Sequence, residues 1–212
     1  MKIKKLLFVS PIMFLIITLL SACSSTPTTK VSRVDAGAAI DLSGRWNDTD
    51  ARLVSNSLID DCLNSPRVRQ FIQEYSARNN GNLPACLVGT FGNDSSEHID
   101  TGIISRAMQT AIINSGRMDF VAGGETRAEI RGERQDQQSF ASDETASALA
   151  NETGAALLLT GKISSIVDRA GNRTVRSYFV NAELTNIERN TIIWAGENNE
   201  IKKDITQANY RR

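Results

Sequence analysis

The sequence predicts an α/β fold, a single domain with a mixed sheet of four to five strands packed by helices. Three observations carry this. Residues 50–77 place apolar side chains at helical spacing, and between 85 and 122 an apolar run, a helical stretch and a second short apolar run follow one another. The last third holds three long extended runs separated by turn residues.

Taken in order, the folded part opens at Asp41-Leu42-Ser43-Gly44-Arg45-Trp46-Asn47-Asp48-Thr49-Asp50. Leu42 and Trp46 are expected to pin this segment to the core, and Asp48 or Thr49 offers a side-chain oxygen to cap a helix. That helix, about 50–64, sets Val54, Leu58, Ile59, Cys62 and Leu63 on one face. Pro66 ends it or starts the next, and 67–77 carries Val68, Phe71, Ile72 and Tyr75 before Asn79-Asn80-Gly81-Asn82 breaks the period.

Residues 85–91 form a compact apolar run between Pro84 and Gly92, an interior strand by composition. A polar turn, 93–100, leads into a helix with Ile99, Ile103, Ala107, Met108, Ala111 and Ile112 on one side, stopped at Ser115-Gly116. Phe120-Val121-Ala122 follows as a short strand, and the default for such a unit is parallel pairing with a right-handed crossover. A charged helix is expected over 125–135, and Ser142-Asp143-Glu144 caps another running to Thr153-Gly154. The extended runs 157–167, 175–187 and 192–205 are joined by hairpin-like turns at Ala170-Gly171-Asn172 and Glu188-Arg189-Asn190. Tyr178, Val180, Ala182 and Leu184 alternate with mostly polar residues, giving one wet face and one core face.

The amino terminus carries an address. Lys2, Lys4 and Lys5 precede an apolar run from Leu6 to Leu20, and Leu20-Ser21-Ala22-Cys23 follows as a lipoprotein box. The run is shorter than the roughly 18 residues of a membrane span, so 1–22 is expected to be a cleaved signal and Cys23 the lipidated first residue. Diacylglycerol plus a third acyl chain exceeds the two signals that stable anchoring needs. Ser24 stands where an aspartate favours retention in the lipoprotein-sorting systems that this segment resembles, and the resemblance implies the outer membrane on its periplasmic side. Residues 23–40, rich in Ser, Thr, Ala and Gly, read as a flexible tether reaching at most roughly 65 Å and about 25 Å on average. The domain itself is placed at 41–212.

Loss of the signal lysines takes the formal charge from zero to about −3. Acidic and basic residues are intermixed, without the basic stripe and interleaved aromatics of a nucleic-acid binder. His98 is the single histidine, beside Asp94, Ser95, Ser96, Glu97 and Asp100. A triad needs members converging from separate elements, so the preferred reading is a capped turn, with Asp94 and Glu97 or Asp100 meeting free backbone amides. Gly123-Gly124 lacks the further glycine or Lys-Ser/Thr of a phosphate cradle. No catalytic residue, metal or cofactor is assigned.

Cys62 and Cys86 lie on apolar faces, where cysteine behaves as a small hydrophobe, and this is the preferred reading. A bridge between them, open on sequence alone, would close a loop of about 24 residues and contribute roughly 3 kcal/mol. Arg45 and Trp46 are candidate partner-binding residues, because Trp and Arg are favoured interface anchors, although a tryptophan here is more often core. Lys202, Lys203, Arg211 and Arg212 read as a solvated basic tail.

Ser43-Gly44-Arg45-Trp46-Asn47-Asp48, Asp61-Cys62-Leu63, Ser96-Glu97-His98-Ile99, Ser115-Gly116-Arg117, Arg134 with Asp136-Gln137-Gln138, Thr153-Gly154-Ala155, Thr160-Gly161-Lys162-Ile163 and Ile193-Trp194 follow one another across 40–204. In that order they resemble the signatures of LpoB-type penicillin-binding-protein activators. The resemblance implies a domain similar to the amino-terminal domain of TolB, and an outer-membrane lipoprotein that docks without catalysis of its own on a bifunctional penicillin-binding protein, a peptidoglycan synthase. The enteric activators carry a long proline-rich tether, and this chain has only the short segment 23–40. The alternative is an envelope assembly or secretion lipoprotein, since the same domain type resembles curli-secretion and Tol-system proteins.

Overall fold

The computed structural model describes residues 30–140 and 154–207. The chain divides into two compact units, Met1–Ala38 and Ala39–Arg212. In the first, the described residues make a turn in which the Gly37 amide donates to the Asp35 side chain at 2.6 Å. The signal, Cys23 and the expected helix at 142–153 lie outside the described residues.

In the second unit the described residues form four helices and six strands. Helix α1, Asp48–Asn64, is capped not by Asp48 or Thr49 but by Asn47, whose side chain accepts from the Asp50 amide while Asp50 accepts from the Asn47 amide. This reciprocal box places the cap one residue before Asp48 and two before Thr49. Pro66 opens α2, Pro66–Arg78, at the position where its missing N–H costs nothing. Strand β1, Ala85–Asp94, runs into residues whose composition suggested a turn, because Asn93 and Asp94 find partners in Ile163 and Ser164. Helix α3, Gly102–Ser115, ends at Gly116 with φ 61°, the left-handed stop that glycine supplies. Its core stripe is Ile104, Met108 and Ile112, while Ile103, expected inside, is 46% exposed.

Strand β2, Asp119–Phe120, pairs parallel to β1, as the strand-helix-strand unit predicts, but is only two residues long. Helix α4, Gly124–Phe140, extends past its expected end. Strands β3, Leu157–Ala170, and β4, Arg173–Asn186, form an antiparallel hairpin turning at Gly171, where φ is 58°. The final run, expected as one strand over 192–205, is two: β5, Thr191–Asn198, and β6, Lys202–Thr206. Both pair with β4, β5 along Val180 to Asn186 and β6 along Arg173 to Ser177. The split raises the strand count to six.

The sheet order is β2-β1-β3-β4-β5, with β6 beside β4. It is mixed, since β1 is parallel to both neighbours and the rest is antiparallel. Tyr178, Val180, Ala182 and Leu184 are fully buried, as their alternation predicts, and share one core with Val54, Leu58, Ile104 and Met108. Gly161 is required here: a Cβ on it would overlap the Phe91 ring and lie 2.5 Å from the Asn181 carbonyl oxygen.

Cys62 and Cys86 are both free and buried in that core, so the bridge left open by the sequence is not formed. Burial pushes both thiols up to about 12, with the neighbouring Cys86 adding to the effect on Cys62, and such thiols are poor nucleophiles.

Candidate docking surface

Residues 41–47 cross the sheet as a strap, held to it at two polar nodes. Gly44, at φ +64°, lies against β6 so closely that a Cβ would overlap the Ile205 side chain. The outer node is Lys203, which donates to Asp41 at 2.6 Å, to Asp50 at 2.6 Å and to the Arg45 carbonyl at 3.0 Å. Lys203 therefore does not belong to a solvated tail. Its side chain is one-tenth exposed, and alternation along β6 turns it toward the strap. Arg211 and Arg212 lie outside the described residues.

The inner node is Glu97. Its Oε2 accepts from the Tyr178 hydroxyl at 2.8 Å and from the Trp46 amide at 3.1 Å, while its Oε1 pairs with the Arg176 guanidinium. Arg176 in turn donates to the Gly44 carbonyl at 3.3 Å. Both ion-pair partners are about nine-tenths buried, so their attraction is little screened and their desolvation is offset only by this pairing. Of the carboxylates expected to meet free backbone amides, Asp100 meets the Gly102 amide at 2.9 Å, Glu97 meets the distant Trp46 amide and no amide of the following helix, and Asp94 pairs instead with Lys162 at 2.8 Å. No sequence signal separates Glu97 from its exposed neighbours Ser96 and His98.

Trp46 is half-buried, its ring meeting Tyr178 edge-on with centroids 5.2 Å apart at 66°. Trp194 is buried, and its indole N–H donates to Asp61 at 2.9 Å. Arg45 instead projects into solvent, and its guanidinium has no partner among the described residues. The two candidate residues are neighbours with opposite duties: Trp46 fastens the strap and Arg45 is presented by it. Leu42, expected to pin the segment, is 93% exposed. The nodes do that work in its place.

Burial pushes the Tyr178 phenol well above its usual range, and the Glu97 carboxylate adds to this. For Lys203 burial alone would lower the value, but its bonds to Asp41 and Asp50 outweigh that and raise it. Both groups hold their protons more tightly when folded. Their stabilisation is complete below the unfolded values of about 10 and is lost as pH rises through the folded ones. Urea midpoints compared at pH 8 and pH 11 should show a clear loss at the higher pH, and Tyr178→Phe should remove the tyrosine's share of it.

Among solved structures, the chain is similar to the LpoB C-terminal domain from Salmonella enterica, at 14% identity over 66% of this chain and 95% of that one, with a TM-score of 0.33. It is similar to Escherichia coli LpoB solved by NMR, at 14% identity over 88% of each chain with a TM-score of 0.33. It is also similar to lipoprotein GNA1162 from Neisseria meningitidis, at 13% identity over 60% and 88% with a TM-score of 0.34. No curated protein matches the sequence. The family model for the peptidoglycan-synthase activator LpoB, however, matches residues 50–200, most of the chain and nearly all of its folded unit. On that match the chain belongs to the LpoB family of peptidoglycan-synthase activators.

Proposed function

We propose that this chain is a non-enzymatic regulator that docks on a bifunctional penicillin-binding protein and stimulates its glycan polymerisation, with Arg45 at the contact. The observation that carries the contact is the strap. Its backbone is fixed on both sides of Arg45, by Arg176 on the Gly44 carbonyl before it and by Lys203 and Glu97 on the carbonyl and amide of the Arg45–Trp46 peptide after it, while the guanidinium is left exposed. An arginine whose backbone is already immobilised loses less entropy on binding than one on a mobile loop. Arginine is also among the residues most often found as energetic anchors at interfaces.

The test is the rate of glycan polymerisation by the cell's own bifunctional synthase, with and without the full chain, beside a binding titration. A saturable rise in rate at the concentration where binding saturates supports the reading. A folded chain with neither binding nor effect removes it for that synthase and favours an envelope assembly role. Arg45→Ala should weaken binding by about 2 kcal/mol, roughly thirtyfold, with the fold intact.

The chain would act from a lipid anchor at Cys23 on the periplasmic side of the outer membrane, with 23–40 as its tether. Among the described residues no helix is long and apolar enough to cross a membrane. Cys23→Ala should move the protein from the membrane pellet to the soluble fraction and abolish labelling by a palmitate analogue. A labelled, membrane-bound Cys23→Ala chain would refute the anchor.

A further inference from the structure

A groove lies at the end of the sheet away from any use made of the strap, between α2 and the turn joining β4 to β5. Its main cavity, about 310 Å³, is lined by Arg67, Phe71 and Arg78 from α2 and by Asn186 and Arg189 from the hairpin. A second cavity of about 290 Å³ shares Phe71, Arg78 and Asn186 and adds Tyr75 and Ala156. Together they have the volume of a small extended ligand.

The hydrogen-bonding inventory leans toward donors. Asn186 is 6% exposed, and its side-chain oxygen already accepts from the Arg189 amide at 3.2 Å. Its nitrogen has no partner among the described residues. Glu74, the acidic residue of the main cavity, accepts from Gln70 at 2.8 Å. The guanidinium groups of Arg67 and Arg189 have no partner among the described residues, and Arg78 is held only through Nε, which donates to the Glu74 carbonyl at 3.1 Å. The second cavity also carries the Glu188 carboxylate, so three guanidinium groups and the Asn186 amide nitrogen stand against two carboxylates, and donors outnumber them. The rings of Phe71 and Tyr75, 6.1 Å apart and tilted by 32°, supply an apolar wall beside them.

We infer that this groove binds a carboxylate-bearing fragment of peptidoglycan, a muropeptide whose free carboxylates meet Arg67 and Arg189 and whose amide carbonyl accepts from Asn186. The guanidinium fork matches a carboxylate bidentately, and the half-buried rings suit the apolar face of a sugar or a peptide methyl group. Within a family that acts on peptidoglycan synthesis, a short strand of the polymer is the acceptor-rich, anionic, extended molecule that these cavities fit. A folded protein domain would meet the convex surface and leave a groove of this size mostly unfilled. The inference goes beyond docking, because it gives the chain a contact with the product of the enzyme as well as with the enzyme.

Isothermal titration of the full chain in detergent with a disaccharide-tetrapeptide released from sacculi tests this with no synthase present, so that it and the docking reading can fail separately. Saturable binding is expected, weakened about tenfold or more by Arg67→Ala and again by Arg189→Ala, and weakened by added salt. Both side chains are exposed, and circular dichroism should confirm that the variants fold. A neutral chitotetraose should bind far more weakly. The inference is overturned if the muropeptide does not saturate the chain at millimolar concentration or if the two variants bind it as well as the parent. Equal binding by the neutral sugar would also overturn it, as would binding of a free acidic peptide in place of the muropeptide.

Discussion

Glu97→Ala should destabilise the domain by about 3–5 kcal/mol, the range for removing one partner of a buried ion pair. The change takes away three things at once: the acceptor for the Tyr178 hydroxyl, the acceptor for the Trp46 amide and the counter-charge of Arg176. Arg176 cannot relax into water, because it is 9% exposed and its Nε already lacks a partner among the described residues. Glu97→Gln, which keeps an oxygen but not the charge, should fall between. Replacing Glu97 and Arg176 together with Leu and Met should cost much less than the sum of the single changes, since the largest part of each is the stranded partner. Urea denaturation followed by circular dichroism and by tryptophan fluorescence measures all of these. A Glu97→Ala protein within about 1 kcal/mol of the parent would mean that the node does not hold the strap.

Gly161→Ala is the second large effect, a loss of about 1–3 kcal/mol from a single added methyl group. The methyl would enter the space of the Phe91 ring and stand 2.5 Å from a backbone carbonyl oxygen that cannot rotate away. Gly161 pairs with Phe91 in β1 and Ala182 in β4, so the strain falls where the parallel and antiparallel halves of the sheet join. Phe91→Leu in the same chain should recover only part of the loss, because the ring can be shortened and the Asn181 carbonyl cannot. Thermal melting resolves this, at about 2–4 °C per kcal/mol for a domain of this size.

The order of elements was legible because it rests on local signals: the 3.6-residue spacing of Val54, Leu58 and Cys62, the glycine stop at 116, the alternation from Tyr178 to Leu184. Boundaries moved where a distant strand supplied partners. Asn93 and Asp94 look like turn residues until Ile163 and Ser164 stand beside them, and the run 192–205 looks continuous until β4 takes its two halves at separate places. The strap was legible only in part. Trp46 marks a structured lead-in, but its fastenings, Glu97, Arg176 and Lys203, come from 50 to 160 residues away and look in sequence like ordinary surface charges. Lys203 in particular looks in sequence like part of a solvated basic tail. The groove escaped for the same reason, since Arg67 and Arg189 are far apart along the chain and each is unremarkable alone.

The strap is also where a pull along the chain from residue 40 enters the domain. Such a load first meets the Ile40 carbonyl on the Asn47 side-chain amide, then Asp41, an exposed carboxylate held by that amide and by Lys203, and only then reaches the carbonyls of Gly44 and Arg45 and the amide of Trp46. These contacts lie one after another along the strap, so tension would open them in succession, as a zip does, before any strand of the sheet is sheared. Residues 41–47 would thus act as a mechanical fuse. A pull on the chain ahead of residue 41 would lengthen the connection by unpeeling the strap, and the sheet behind it would be spared.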